Sequence, residues 1–207
     1  MIDYVPFNQE EFGRWIQDAG DHTLRLNYNL DDKSIVIDAG GYRGQWAKQI
    51  NEIYDSTVYV FEPLKEFHSS IESLFVNKSK VVPYNYALSN SNCEMKISLG
   101  NDGSTLFDIE AQSTEVIQCM DIQTFFSEKD LKFVNLMKIN IEGAEYDLLE
   151  RMIDLGLHLK VDNLQIQFHR FIEHCDTRRN SIIEELSKSH NRTWNYDWIW
   201  ENWELKK

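Results

Sequence analysis

The sequence predicts a mostly parallel, doubly wound α/β sheet with a small β-excursion inserted around residues 93–120. Three observations carry this expectation. Residues 35–39 are an apolar run that holds one acid, Asp38, and breaks into a loop with Gly40, Gly41 and Gly44. A second apolar run, 58–61, closes on Glu62-Pro63, so successive strand-like segments each end near a carboxylate. Further on, strand-length apolar runs alternate with segments of helical periodicity, the pattern of a parallel sheet covered on both faces.

In chain order, residues 7–30 read as one or two helices that cover the sheet before the first strand at 35–39. A helix is expected at 43–54, a strand at 57–62 and a helix at 64–76, where Phe67, Ile71, Leu74 and Phe75 recur at helical spacing. A third strand spans 80–86. Two alternating segments, 94–99 and 114–119, flank the polar stretch 100–104 and form the β-excursion. Regular order returns with a strand at 134–142 and a helix at 144–155, which aligns Ala144, Leu148, Leu149, Met152 and Leu155 on one face. Glu145 and Asp147 suit the positive end of that helix, and Gly156 can end it in the left-handed conformation. A strand at 162–169 and a helix at 177–189 follow.

Beyond them Trp194, Tyr196, Trp198 and Trp200 alternate along one strand-like run, with Trp203 just past it. Aromatic faces stack on sugar rings, but an edge strand burying its indoles against a helix is the favoured reading. No linker divides the chain. One domain is expected, with 1–33 as helical cover, 34–170 as cofactor-binding core and 171–207 as helix and aromatic strand.

Composition narrows the partners. With 21 basic and 34 acidic residues, the net charge of −13 argues against nucleic acid or anionic lipid, which need clustered Lys and Arg. Cys93, Cys119 and Cys175 form no C-x-x-C pair, so neither a disulfide framework nor a zinc site is indicated, and a cytoplasmic location is expected. The first residues lack a basic and apolar leader, and no apolar run approaches the roughly 20 residues that span a bilayer.

The glycine spacing bears on the cofactor. A dinucleotide loop needs G-x-G-x-x-G, whereas Gly40, Gly41 and Gly44 give G-G-x-x-G, and no Lys-Ser/Thr follows as in a P-loop. A turn with carboxylates at two strand ends suits S-adenosylmethionine, which has no phosphate but carries a charged amino acid and a ribose diol.

Two later segments alternate in polarity: Lys138, Asn140 and Glu142 share one face, as do Gln165, Gln167 and His169. Ligands bind at the carboxyl ends of such strands. If the strands are neighbours, Glu142 and His169 meet there. His169 is then the candidate base, Glu142 orients it or holds the acceptor, and Asn140 contacts donor or substrate. Singly, His169 could be a hydrogen-bonded structural residue and Glu142 a helix cap. A divalent cation on His169, Glu142 and a further oxygen is considered but not favoured, because Asn140 offers no carboxylate. His22, His68, His158, His174 and His190 have no partners at ligand spacing and are expected to be solvated.

These pieces, in this order, resemble the FkbM family of S-adenosylmethionine-dependent methyltransferases. The matching blocks are residues 36–44, Val60-Phe61-Glu62-Pro63, Asn85-Tyr86-Ala87-Leu88-Ser89, Gly103-Ser104-Thr105-Leu106 and Lys138-Ile139-Asn140-Ile141-Glu142-Gly143-Ala144-Glu145. The resemblance implies a Rossmann-like class I methyltransferase fold and methyl transfer, usually to an oxygen of a sugar or secondary metabolite. By the same resemblance, Asp38, Gly40 and Gly44 surround the methionine part of the cofactor, and Gly41 and Tyr42 count among the cofactor-binding residues. Glu62, next to Pro63, takes the ribose hydroxyls, and Tyr86, Ala87 and Leu88 lie near the adenine. The family commonly has Asp where this chain has Asn140. The implied partner is a small-molecule or glycan acceptor. A natural product, a protein side chain, or a non-catalytic role as partner subunit are the alternatives.

Overall fold

The computed structural model describes residues 8–99, 104–105 and 114–207. Its central sheet is built from β1 (Ile35–Ala39), β2 (Thr57–Phe61), β3 (Val81–Tyr84), β8 (Val134–Ile139), β9 (Val161–Ile166), β10 (His190–Tyr196) and β11 (Trp200–Leu205). The strand order is β10-β11-β9-β8-β1-β2-β3. The five strands β3, β2, β1, β8 and β9 run parallel, and β11 joins antiparallel to both β9 and β10. The order reverses beside β1, which opens a crevice at the carboxyl ends of β1, β2 and β8.

Both faces of the sheet are covered because neighbouring residues of each strand are apolar. Val36, Val58, Val60 and Leu136 pack with α2 (Gln45–Tyr54) and α3 (Lys65–Leu74) through Trp46, Ala47, Ile50 and Ile71. Ile37, Phe61, Met137, Leu164 and Ile166 face the other way. There they meet α4 (Ile122–Glu128), α5 (Glu145–Asp154) and α6 (Cys175–Ser189) through Phe125, Leu148, Leu149, Met152, Ile182 and Leu186.

The excursion is a second sheet, ordered β4-β7-β5-β6, from β4 (Ala87–Ser89), β5 (Cys93–Leu99), β6 (Ser104–Thr105) and β7 (Thr114–Asp121). β5 and β7 pair antiparallel, as the alternating segments predict, while β4 adds parallel to β7. Of the Gly103–Leu106 block only Ser104 and Thr105 lie within the described residues, and the stretch 100–103 lies outside them.

Several boundaries differ from the sequence reading. Among the described residues 8–30 one helix forms, α1 (Gln9–Gln17), followed by turns; its N-cap Asn8 accepts from Glu11 N at 3.3 Å. β8 and β9 stop at Ile139 and Ile166, so Glu142 and His169 lie in the loops beyond. The aromatic run 194–200 is a hairpin rather than one strand, turning at Trp198 in the left-handed region at φ 63°. As expected, its indoles are packed: Trp15 of α1 contacts Trp194 at 5.9 Å and Tyr196 at 5.1 Å, and Trp203 enters the main core. His158 and His190 are buried instead of solvated, with contacts to the carbonyls of Met152 and Val161 at 3.3 and 3.1 Å. Among the described residues no helix is long and apolar enough to cross a membrane.

Candidate active site

The loop after β1 folds back on its neighbours. The amides of Gly40 and Gly41 both donate to the Phe61 carbonyl, at 3.0 and 2.9 Å. Gly40 has φ 85°, and a Cβ there would lie 1.9 Å from the Asn140 carbonyl oxygen. One on Gly41 would come within 2.3 Å of Val60, and Gly44 is pressed against Phe75 and α3. The glycines are therefore required by chain packing on chain, with the crevice shaped as a result.

Asp38 is fully buried and does not reach the crevice surface. Lys138, opposite it on β8, donates to Asp38 Oδ1 at 2.8 Å and to the Gly40 carbonyl at 2.6 Å. Burial pushes both groups toward their neutral forms, Asp38 up and Lys138 down, and their mutual contact opposes this. Lys138 was legible only as part of a polar face. The structure makes it the buried counter-charge that ties the first loop to β8.

Glu62 follows β2 and receives Tyr42 N at 2.8 Å on Oε2 and Leu64 N at 3.0 Å on Oε1. Asn85 pins the same turn from below by donating to the carbonyls of Glu62 and Pro63 at 3.1 and 2.8 Å. Burial pushes the Glu62 carboxyl up to about 7, against the two backbone donors and Lys138. Each oxygen keeps a second lone pair free to accept from a ligand.

β8 and β9 are neighbours, so the loops carrying Glu142 and His169 do converge. His169 Nε2 lies 3.5 Å from Glu142 Oε2, and Nδ1 lies 3.1 Å from Glu145 Oε1. Glu145 is fully buried; it also accepts from His169 N at 2.7 Å and from Gly143 N at 2.8 Å. Since a carboxylate only accepts, Nδ1 carries a proton, and Nε2 attracts Glu142 only in the imidazolium, where both nitrogens are protonated. Burial lowers the His169 pKa, but the Glu145 hydrogen bond and both carboxylates outweigh it, so the net shift is upward. Glu142 adopts φ 50° in the left-handed region, and its side chain is 43% exposed. Sequence reasoning gave Glu145 to the helix dipole alone; its place three residues after Glu142, one turn away, was the available signal.

A cavity of about 470 Å³ lies across these loops, within the size range of small-ligand sites. Gly40, Gly41, Tyr42, Glu62, Pro63, Ala87, Leu88, Asn140 and Glu142 line it. Asp38, Gly44, Tyr86 and His169 do not; His169 stands behind Glu142. The excursion supplies an apolar wall from Met95, Ile97, Ile117 and Cys119. Burial and the neighbouring Cys93 thiol push the Cys119 thiol up to about 12. Asp21, His22 and Arg25, from the turns after α1, line the cavity as well and were not anticipated. Among the described residues no group of three His, Cys, Asp or Glu could hold a metal ion.

A sheet of this order, with its cavity across the carboxyl ends of β1, β2 and β8, defines a class I methyltransferase fold of the Rossmann-like type. Solved structures with this fold include the fibrillarin/Nop5p complex, at TM-score 0.53 and 12% identity over 93% of this chain and 82% of that one. A Clostridium thermocellum protein assigned as an rRNA methylase gives TM-score 0.52 and 8% identity over 98% of this chain and all of the other. A Streptococcus mutans protein assigned as a methyltransferase, solved with S-adenosylhomocysteine, gives TM-score 0.51 and 9% identity over 92% and 97%. At such identities the likeness is one of fold. No curated protein matches the chain. The model of the methyltransferase FkbM domain matches residues 38–197, and the chain belongs to that family.

Proposed function

We propose that the protein uses S-adenosylmethionine to methylate a hydroxyl oxygen of a sugar or glycan precursor. The cavity fits such a donor. Its excursion wall is apolar enough for a purine, and Glu62 has acceptor capacity left for a ribose diol. Asn140 Oδ1 is buried with no hydrogen-bond partner among the described residues, an acceptor that a ligand donor can satisfy. When bound, S-adenosylmethionine supplies a methyl group already activated on a sulfonium.

What this chain must then do is align the acceptor oxygen, exclude water and take one proton. The observation that carries the reading is the Glu142 carboxylate, which stands on the cavity wall and is held from behind by His169 and Glu145. Glu142 takes the hydroxyl proton as the oxygen gains its methyl, and His169 holds Glu142 in place. This moves the base from His169 to the member of the pair that faces the cavity. The polar rim of His22, Gln45 and Gln49 supports a hydroxyl-rich acceptor. A net charge of −13 offers no electrostatic footprint for nucleic acid.

The test combines calorimetry with turnover on a panel of sugar acceptors and labelled donor. Glu62→Gln is expected to lose S-adenosylhomocysteine binding. Glu142→Gln is expected to keep it while turnover falls by about 100- to 10,000-fold. Wild-type protein that binds neither the donor nor S-adenosylhomocysteine refutes the reading, and full turnover in Glu142→Gln removes the base.

A further inference from the structure

We propose that Asp21 and Arg25, from the turns after α1, clamp the amino-acid end of the donor. The inference rests on the donor assignment above. That end of S-adenosylmethionine is a zwitterion, so its site needs one anion and one cation that reach the cavity. Asp38 is fully buried and does not line the cavity, although its Oδ2 has no hydrogen-bond partner among the described residues; Lys138 does line it, but its ammonium is occupied by Asp38 and the Gly40 carbonyl. Glu62 belongs to the nucleoside side and Glu142 to the acceptor side. Arg43 stands over Tyr42 and Phe67, at 5.4 and 5.6 Å, and Tyr42 is the residue whose amide binds Glu62. It therefore belongs to the nucleoside side too.

Asp21 and Arg25 remain, and they are already fixed in place. Arg25 Nη1 donates to Asp21 Oδ1 at 2.8 Å, and Trp15 Nε1 donates to Asp21 Oδ2 at 3.3 Å. Arg25 Nε donates to the buried Gln165 at 3.2 Å, and its guanidinium lies 4.0 Å over the Trp200 ring. The Arg25 carbonyl is held by Trp46 Nε1 and Gln165 Nε2, both at 3.1 Å. Arg25 Nη2 makes no hydrogen bond among the described residues. The Arg25 side chain is 16% exposed and Asp21 49% exposed, and both line the cavity. A cation held this firmly and largely dehydrated binds a carboxylate with little ordering cost. Its partner Gln165 pairs with Lys138 across β8 and β9, which places Arg25 beside the β8 side of the cavity. Both residues precede the segment matched by the family model, which begins at 38.

The test compares S-adenosylhomocysteine with 5′-methylthioadenosine, which keeps adenine, ribose and thioether but lacks the amino acid. Calorimetry of Arg25→Met is expected to show roughly 10- to 100-fold weaker binding of the first ligand and about twofold or less change in the second. Asp21→Asn, an exposed change that leaves the Trp200 stack intact, is expected to shift the same ratio in the same direction. An unchanged ratio of the two affinities in Asp21→Asn overturns the clamp, whatever Arg25→Met does to the fold. Wild-type binding of neither nucleoside overturns the donor assignment with it, and so separates the two failures.

Discussion

Two sets of buried charge stand at the ends of adjacent strands, and they use the same kinds of residue differently. Asp38 and Lys138, on β1 and β8, are 0% and 5% exposed; only Lys138 reaches the cavity, and its ammonium is turned to Asp38 and the Gly40 carbonyl. Glu142, His169 and Glu145, beyond β8 and β9, grade from 43% through 14% to 0% exposed, with the exposed end on the cavity wall. In the first set Lys138 binds Asp38 Oδ1 and fixes a loop, while Asp38 Oδ2 has no hydrogen-bond partner among the described residues. In the second the inner carboxylate fixes the imidazole, the imidazole meets the outer carboxylate, and one acceptor remains open to the cavity. Exposure along the chain of contacts, rather than residue type, separates the two sets. Glu62 stands between the two, 6% exposed yet on the cavity wall.

The strongest way to break this contrast is Lys138→Met. It leaves Asp38 buried without its counter-charge, and a loss of about 3–5 kcal/mol in urea unfolding is expected. A loss under about 1 kcal/mol, the usual worth of an exposed pair, would show that water reaches Asp38 and that the first set is not sealed.

Glu62 sharpens the middle ground through pH. Its carboxyl stands at about 7 in the folded protein against 4.5 ordinarily, chiefly through burial. A raised acid binds its proton more tightly in the native state, so its contribution is fully present below pH 4.5 and is lost as pH rises through about 7. That shift corresponds to about 3 kcal/mol, and Glu62→Gln is expected to flatten this part of the stability profile. Ribose hydroxyls donate to the ionised form, so S-adenosylhomocysteine affinity should climb over the same range. Stability measured at pH 5 and pH 8 in both proteins decides it.

The smallest expected effect is Glu145→Gln, at about 1.5–3 kcal/mol for weakened hydrogen bonds to a charged group. The His169 pKa is raised in the folded state, so its contribution is present below about 6.5 and fades as pH rises through the native value. Without the Glu145 charge that value should fall, as read from the imidazole protons by NMR titration. An unmoved titration would mean that Glu145 does not govern His169.

The parallel core was legible because β1 and β2 are short apolar runs, and β8 and β9 alternate in polarity as strands do. The hairpin at 190–205 was not, because its turn is Asp197-Trp198-Ile199, without glycine or proline, and continues the aromatic alternation. α4 left a readable trace, Ile122, Phe125 and Phe126 after the capping Asp121, but it is only seven residues long. At the site, convergence of Glu142 with His169 was readable from alternating polarity. The sealing of Asp38 was not, since Lys138 shares that alternation and only the strand register shows what it faces. Asp21 and Arg25 were unreadable, because their approach to the cavity depends on α1 packing against a hairpin more than 160 residues later.

The Asn140 carbonyl fills the space beside Gly40, so the loops after β1 and β8 are fitted main chain to main chain. The fit makes opposite demands on two positions only a few ångströms apart. Position 40 tolerates nothing beyond a hydrogen, whereas the side chain at 140 takes no part in the contact and can exchange amide for carboxylate without moving either loop. The pocket can thus be retuned in charge at constant shape, and residue 140 is the dial.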